Sequence, residues 1–461
     1  MPKTCIIGAG ISGLALAWQM QRTGGDCTIL ETSSQSGGAM HSFRKGDYLA
    51  EDGPNSILLN DANIENFLYS IPGLKERIVE AAPEANKRFI VRNGKPHAVP
   101  MGPISAITTP LWTLRGKLRV LKEPFTKAIA PEIEESVADF VRRRLGDELY
   151  KYAINPLVGG IYSGDPEKLS LRYGFPKLYK LEQTYGGLIR GAIGKMREAK
   201  KGDAPKVRKR IISFKNGMGE LPEKLATALG NNLNNDVSIQ AIRKVENKWQ
   251  VSWNNRSAET FDQIILTIPS HRLHTLPFDS DICSQLSFLE TIHYPPVSVL
   301  SLAYKRKDVS HPLDGFGALV PECEGHKILG ALFPSSLFSQ RTPKDEVMLT
   351  VFVGGERQPE LATEDTEALK AIVCPDLEKL LGIQGVQTFC HHKHWERAIP
   401  QYKMGYGNLL QKMEALEKQN PGLHLAGNYR TGISVTYCIE AALAFSANRL
   451  LKTPASASCN G

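Results

Sequence analysis

Residues 4–31 constrain the fold more than any other stretch of this chain. Thr4-Cys5-Ile6-Ile7 is a short apolar run, read as a buried strand, and Gly8-Ala9-Gly10-Ile11-Ser12-Gly13 follows it without a gap. Leu14, Ala17, Trp18 and Gln21 then recur at helical spacing, and Cys27-Thr28-Ile29-Leu30 reads as a second strand closed by Glu31. A GxGxxG turn alone is a weak signal. Here strand, helix and terminal acid are all in register, which is the context of a dinucleotide-binding βαβ unit. Gly8 permits the tight turn, and Gly10, lacking a Cβ, lets a pyrophosphate approach the backbone. Gly13 lets the helix pack closely on the strand. Ala9, Ile11 and Ser12 complete the loop, whose N–H groups and helix dipole favour phosphate. Glu31, with Thr32 beside it, is placed to accept a hydrogen bond from a ribose hydroxyl. Its charge would repel a 2′-phosphate, which disfavours NADP.

Composition bounds the rest. A chain of 461 residues is too long for one small core and suggests two or three domains. Hydrophobic residues at 42% and charged residues at 23% argue against extended disorder. The net charge of +8 suits an anionic small molecule or an anionic membrane surface and does not call for nucleic acid. The eight cysteines form no CxxC pair, so zinc ribbons are disfavoured and a reducing compartment is expected. No apolar run reaches the roughly 18–20 residues of a membrane-spanning helix. The first strand starts almost at once, leaving no room for a signal segment, so a cytosolic protein is expected.

Two further turn-rich segments choose between dinucleotides. Ser36-Gly37-Gly38-Ala39 follows Glu31, and Glu51-Asp52-Gly53-Pro54-Asn55-Ser56 follows that. Near the C-terminus, Leu423-His424-Leu425-Ala426-Gly427-Asn428 reads as a strand entering a glycine turn. A helix then starts near Ser434, with Ile439, Ala442, Leu443 and Ser446 on its inward face. The order of these segments favours FAD, held by both ends of the chain.

The middle of the chain carries a resemblance. Asn155-Pro156-Leu157-Val158-Gly159-Gly160-Ile161-Tyr162-Ser163-Gly164-Asp165-Pro166 looks like the NP…GGIYAGD segment of porphyrinogen oxidases, and Trp395-Glu396-Arg397-Ala398-Ile399-Pro400-Gln401-Tyr402 looks like their W…AIPQY segment. With the flavin motifs, the chain from about Lys3 to Leu451 resembles the oxygen-dependent, FAD-containing protoporphyrinogen oxidase family of the flavin amine-oxidase superfamily. That resemblance implies oxidation of a porphyrinogen to a porphyrin in haem synthesis, with O2 as acceptor and hydrogen peroxide as product. Coproporphyrinogen III, with four carboxylates instead of two, is the alternative substrate, and a second cation opposite the first would favour it. A flavin amine oxidase, a carotenoid desaturase or a flavin-binding interaction protein without turnover are more distant alternatives. The resemblance also leaves room for a homodimer and for hand-over of product to the next haem-pathway enzyme.

Site residues follow from the same match. Arg88 is expected to pair with a propionate, Phe338 to pack on a pyrrole ring and Leu319 to form an apolar wall. Phe338 and Leu319 also fit as ordinary core, and Ser339 stands where the family often has proline. Gly160 matches a glycine whose carbonyl faces the tetrapyrrole, and Asn55 a residue near both flavin and substrate. The cofactor set is Gly8, Ala9, Gly10, Ile11, Ser12, Gly13, Glu31, Thr32, Gly38, Ala39, Gly53, Pro54, Asn55, Ser56, Val237 (whose backbone meets the adenine), Trp395, Gly427, Ile433, Ser434 and Val435. No catalytic side chain is singled out, because flavin supplies the chemistry. His391, His392 and His394 invite a metal reading, but in a strand His392 and His394 share a face while His391 points away, so structural roles are expected.

The expected fold is α/β: a discontinuous Rossmann-type FAD-binding domain (1–84, 206–269 and 396–455), a mixed α+β substrate-binding domain (85–103 and 270–395), a helical membrane-associating domain (104–205) and a flexible tail (456–461). Val297–Ala303, Met348–Val353 and Val386–Cys390 are the expected strands of the substrate domain. An exposed Trp112 beside Arg115, Lys117, Arg119 and Lys122 reads on its own as a solvated basic face; the family resemblance implies instead that it rests on anionic lipid, with the protein peripheral on the cytoplasmic membrane. The basic stretch Arg190–Lys215 is expected to be an exposed linker.

Overall fold

The computed structural model describes residues 2–201 and 208–450. The glycine-turn unit opens a five-stranded, all-parallel sheet. Its order is Leu233–Asn234, Cys27–Leu30, Thr4–Ile7, Gln263–Leu266 and Leu423–Leu425. Both ends and the middle of the chain thus contribute to one sheet. Every residue of Thr4–Ile7 is buried, as expected of a parallel strand covered on both faces. Alternation divides the strand between two cores. Ile6, with Ile29 and Ile265, packs against the helices Ile11–Arg22, Glu220–Leu229 and Val435–Leu450. Cys5 and Ile7, with Ile264 and Leu266, face the other way, onto a core that includes Trp249, Val251 and Phe261. Those three lie on an antiparallel meander of Ile239–Val245, Lys248–Trp253 and Glu259–Phe261.

The second large sheet has seven strands, in the order Phe389–Trp395, Val297–Lys305, Glu346–Gly354, Ile328–Leu332, Gly315–Leu319, Lys87–Arg92 and Lys95–Ala98. It is antiparallel except for the pair Gly315–Leu319 and Lys87–Arg92. One face is sealed by the helix Thr366–Leu381, whose Leu369, Val373, Leu377 and Leu380 meet Leu300, Leu302, Leu349 and Val351. The other face carries Ala303, Met348 and Phe389, which pack on Ala50 and Tyr48 just before the Glu51–Ser56 strip. The expected strand at Val386–Cys390 is displaced. Val386 is 82% exposed, and the strand begins at Phe389 and runs to Trp395. As an edge strand it carries polar His391, His392, Lys393 and His394, which hid it from an apolar pattern.

From Pro103 to Lys201 the chain has no strand and forms a run of helices joined by turns, including Leu114–Leu121, Val137–Arg144, Asn155–Tyr162, Pro176–Tyr185 and Leu188–Lys201. Its packing turns on Arg144, which is wholly buried and pairs with Glu123 (2.6 Å) and Glu182. Glu123 also accepts the N–H groups of Leu188 and Ile189 at 2.8 and 3.0 Å. Two expectations need correction here. Trp112 is half-buried, with its Nε1 enclosed and unpartnered. The exposed apolar residues are instead Met101, Ile104, Ile107, Leu114, Leu118, Leu121 and Phe125. The Arg190–Lys215 stretch is not a plain linker: Leu188–Lys201 is helix and Arg210–Phe214 is the middle strand of a small sheet with Ile57–Leu59 and Ile78–Glu80. Arg210 there pairs with Glu65 and Glu80, so its charge answers acids across the strand. Residues 202–207, and residues 451–461 with the expected tail, lie outside the described residues.

Candidate functional site

The glycine turn divides its tasks between fold and ligand. Gly8 has φ +104°, which favours glycine, and a Cβ there would meet Ile268 Cγ2 at 2.7 Å. At Gly13 a Cβ would collide with the Gly8 carbonyl oxygen, so this glycine serves helix–strand contact. Gly10 differs: it is extended (φ −70°, ψ 175°), and a Cβ would meet no protein atom within 4 Å. No described residue requires glycine there, whereas a phosphate against the backbone would. No side chain caps the helix that starts at Ile11 after the Ala9-Gly10 turn. Gly37 N–H donates to Ala9 O at 2.8 Å, and a Cβ at Gly38 would lie 3.2 Å from Gly10 Cα, which brings the second glycine loop, with exposed Ala39, beside the first.

Glu31 ends its strand beside this loop. Its Oε2 accepts the Ala9 N–H at 2.6 Å and its Oε1 the Ser33 N–H at 2.9 Å, while Thr32 is exposed next to it. Val237 N–H donates to Glu31 O at 2.8 Å, so Val237 stands at the same end of the sheet as the acid expected to meet the ribose.

The Glu51–Ser56 strip adjoins the second glycine loop. A Cβ on Gly53 would strike Ala39 O, so the strip presses on the second glycine loop. Asn55 Nδ2 donates to Gly53 O at 3.1 Å, and its Oδ1 is buried without a partner among the described residues. An orphaned buried oxygen here is costly unless a ligand donor meets it. Pro54 and Ser56 are half-buried beside it. At the C-terminal end Gly427 (φ +135°) and Gly432 (φ +130°) bracket a short helix, and Ser434 Oγ accepts the Tyr437 N–H at 3.1 Å at the head of Val435–Leu450. Half-buried Ile433 packs on the core below the parallel sheet, and Val435 joins Leu14 in the core where the first and last helices meet. Trp395 Nε1 donates to Asp52 O at 2.7 Å, tying the strip to the edge of the seven-stranded sheet. These residues fit FAD: a phosphate turn free of Cβ, a ribose acid, a second loop against it and an unpartnered amide oxygen at the far end.

Of the expected substrate residues, Arg88 and Leu319 lie on the face of the seven-stranded sheet turned away from Thr366–Leu381. Phe89, Ala318 and Val320 belong to the helix-side core, so their neighbours Arg88 and Leu319 point to the other face. A register shift between Gly315 and Ala318 is a bulge, and it brings Phe316 onto that same face, under Arg88. The Arg88 guanidinium lies 5.6 Å over the Phe316 ring, is exposed, and has no ion pair among the described residues. Leu319 touches Gly160: a Cβ on Gly160 would overlap Leu319 Cδ2. Phe338 is 3% exposed, clustered with Ala85 and Leu337 behind Phe316, with Arg341 5.3 Å over its ring. Phe316 is therefore the half-buried aromatic beside Arg88, and Phe338 stands behind it. Sequence reasoning missed Phe316, although an aromatic between two glycines, Gly315 and Gly317, marked it. It also missed Arg357, whose Nη1 donates to Val320 O at 3.1 Å and whose Nη2 would lie 3.3 Å from a Cβ on Gly159. Burial lowers the Arg357 pKa, and among the described residues no carboxylate is within ion-pair distance of it.

The GGIY and AIPQY segments meet as one unit. Gln401 Nε2 donates to Tyr162 O at 2.8 Å, and Tyr402 O–H donates to Asn428 O beside Gly427. The histidines take separate partners. His392 and His394 share a face and converge on Ser298 Oγ at 2.9 and 3.4 Å, while His391 points oppositely to Asp52. No group of three or more metal-ligating side chains occurs among the described residues.

Comparison with known proteins follows the same lines. The family model described as flavin containing amine oxidoreductase matches residues 11–448. Protoporphyrinogen oxidase 2, chloroplastic/mitochondrial, of Arabidopsis thaliana is 33% identical over 94% of this chain and 91% of its own length. Coproporphyrinogen III oxidase of Staphylococcus aureus is 29% identical over 95% and 96%. A crystal structure from Exiguobacterium sp. 255-15 superposes with a TM-score of 0.79 over 98% of this chain and 99% of its own, at 24% identity, and shares the fold. The chain belongs to the flavin-containing amine oxidoreductase family and is an FAD-dependent oxidoreductase.

Proposed function

We propose that this protein oxidises protoporphyrinogen IX to protoporphyrin IX, a loss of six electrons and six protons, with three O2 reduced to three H2O2. When bound, FAD supplies the two-electron acceptor chemistry, used three times per porphyrin formed, with O2 as the final acceptor. The observation that carries the reading is Arg88: an exposed guanidinium without an ion pair among the described residues, stacked on Phe316, on the sheet face that continues through Leu319 and Gly160. That arrangement offers a charge-assisted hydrogen bond to a propionate at one end and flat apolar wall beside it. Gly160, held against Leu319, presents main chain to the ring, and Asn55 stands at the strip that joins flavin and substrate. The similarity to proteins named protoporphyrinogen oxidase supports the choice of substrate.

Arg357 favours a second reading. It is a half-buried cation at the Gly159 and Val320 end of the same wall, beyond Leu319 from Phe316. A tetracarboxylate such as coproporphyrinogen III has groups for both arginines. Porphyrin fluorescence against time, in air, with each porphyrinogen separately, decides the matter. Faster protoporphyrinogen turnover sustains the first reading, faster coproporphyrinogen turnover the second, and activity on neither overturns both.

The domain division drawn from the sequence belongs to this proposal, as does peripheral binding to the cytoplasmic face of a membrane. Supporting the latter, Met101, Ile104, Ile107, Leu114, Leu118, Leu121 and Phe125 form an exposed apolar set beside Arg115, Lys117 and Lys122. No helix of the described residues is long and apolar enough to cross a membrane.

A further inference from the structure

Glu51 and Asp52 lead into the strip that carries Gly53, Pro54 and Asn55, and each is tied to a different place. Asp52 is tied to the edge strand at His391 and Trp395. Glu51 is 3% exposed, accepts the Ser42 hydroxyl at 2.5 Å and the Met218 N–H at 3.0 Å, and lies 3.6 Å from Arg341 Nη1. Arg341 is 2% exposed. Its Nη2 donates to Ser213 Oγ at 2.7 Å, its guanidinium covers the Phe338 ring, and its Nη1 has no hydrogen-bond acceptor among the described residues. Its carbonyl accepts the N–H of Leu49, on the strand that ends in Glu51, at 3.0 Å. One buried cation therefore joins the aromatic cluster behind Phe316 to the carboxylate that precedes the flavin strip. Apolar residues of similar volume would hold these elements together as well. An ion pair adds a dependence on protonation.

We propose that Arg341 and Glu51 are positioning residues that couple the flavin strip to the aromatic wall, tightening porphyrin binding when Glu51 is ionised and loosening it when Glu51 is protonated. The inference rests on the proposed function. Burial pushes the Glu51 carboxyl up to about 7, against the pull of Arg341, the Ser42 hydroxyl and the Met218 N–H. The charged groups facing the pair are Asp52, which raises Glu51 further, and Arg44, which lowers Arg341. As pH rises through about 7, Glu51 ionises and draws on the free Nη1, which fixes the guanidinium over Phe338. The propionates of the ligand stay ionised across this window, so their bond to Arg88 does not change with it.

The test is a titration of the FAD-loaded protein with protoporphyrin IX in detergent, read by quenching of tryptophan fluorescence between about pH 6 and about pH 8.5. Wild type is expected to bind about fivefold more tightly at the upper end, the low end of couplings between sites. Glu51→Gln and Arg341→Met are expected to bind weakly and without pH dependence, and Arg341→Lys to recover part of the slope. Should Arg341→Met not fold, Glu51→Gln and Arg341→Lys carry the test, with the flavin absorbance band reporting that cofactor is retained. A Glu51→Gln profile parallel to wild type overturns the proposal. Porphyrin binding without pH dependence in wild type also overturns it and leaves the functional reading standing, whereas no porphyrin binding and no porphyrinogen oxidation removes the functional reading itself.

Discussion

The Asp52 carboxylate accepts from His391 Nε2 at 2.7 Å, and Asp52 is bound a second time where its main-chain oxygen accepts from Trp395 Nε1. His391 stacks on Phe43 with ring centroids 4.1 Å apart and planes 4° from parallel, which fixes the imidazole. The strip that presses on the glycine loop is thus anchored by two residues four apart on one face of the edge strand. Trp395→Phe leaves the Asp52 oxygen without its donor, a loss of about 1–3 kcal/mol if that oxygen is not rehydrated. Loss of flavin retention is the expected outcome, measured as the difference in Tm with and without added FAD. An unchanged difference would show that the anchor does not serve the cofactor.

Gly10 and Gly13 separate ligand contact from fold. Gly10→Ala meets no protein atom within 4 Å and keeps an allowed backbone, so the apoprotein should unfold at the wild-type temperature. FAD affinity should fall at least tenfold, because the methyl occupies the space of the pyrophosphate. Gly13→Ala drives a methyl into the Gly8 carbonyl and should destabilise the apoprotein itself by about 1–3 kcal/mol. Thermal denaturation of both apoproteins, followed by FAD titration, checks the contrast.

Much of this was legible in the sequence because the glycine turn, strand and helix must be contiguous, so Gly8 to Glu31 carry the whole unit in one reading. The proposed substrate wall was harder to read. Leu319 and Gly160 lie far apart in sequence and meet only through the sheet and the helix Asn155–Tyr162. Phe316 joins Arg88 only because a bulge changes which way its side chain points, and no period in the sequence reports a bulge. Buried charges such as Arg144 and Arg341 read as surface in a composition argument, since burial of an arginine is set by partners distant in the chain.

Arg88→Ala tests the propionate assignment with little structural confusion. The side chain is exposed and bridges to no acid among the described residues, so Tm and flavin content should match wild type. Losing a charge-assisted hydrogen bond of about 1.5–3 kcal/mol should raise KM for protoporphyrinogen about 10- to 100-fold. An unchanged KM would remove Arg88 from the site.

Glu51 should also leave a signature in stability against pH. Its folded pKa, about 7, exceeds the ordinary value of 4.5, so its contribution is fully present below about 4.5 and is lost as pH rises through about 7. The unfolding free energy of wild type minus that of Glu51→Gln should therefore decline across this window, by at most about 1.4 kcal/mol per pH unit. Urea denaturation of both proteins at several pH values measures it, and a difference that rises with pH would contradict the burial argument.

The exposed apolar set of residues 101–125 makes the last prediction. Leu114, Leu118 and Leu121 recur at helical spacing and are 73%, 52% and 66% exposed, and Phe125 just beyond them is 83% exposed. Such a stripe is far from what a solvated helix needs, since it contributes nothing to the internal core. Exposed Arg115 and Lys122 flank it, so the proposed anionic bilayer would satisfy both chemistries at once, the leucines entering the acyl boundary and the cations meeting phosphate. Leu118→Asp with Phe125→Asp should leave folding and soluble turnover intact, because neither side chain packs inside. Co-sedimentation with phosphatidylserine vesicles should fall by an order of magnitude, and more salt should weaken the wild-type interaction without abolishing it, since the apolar part is not screened. Vesicle binding equal to wild type in the double variant would assign this face to something other than lipid.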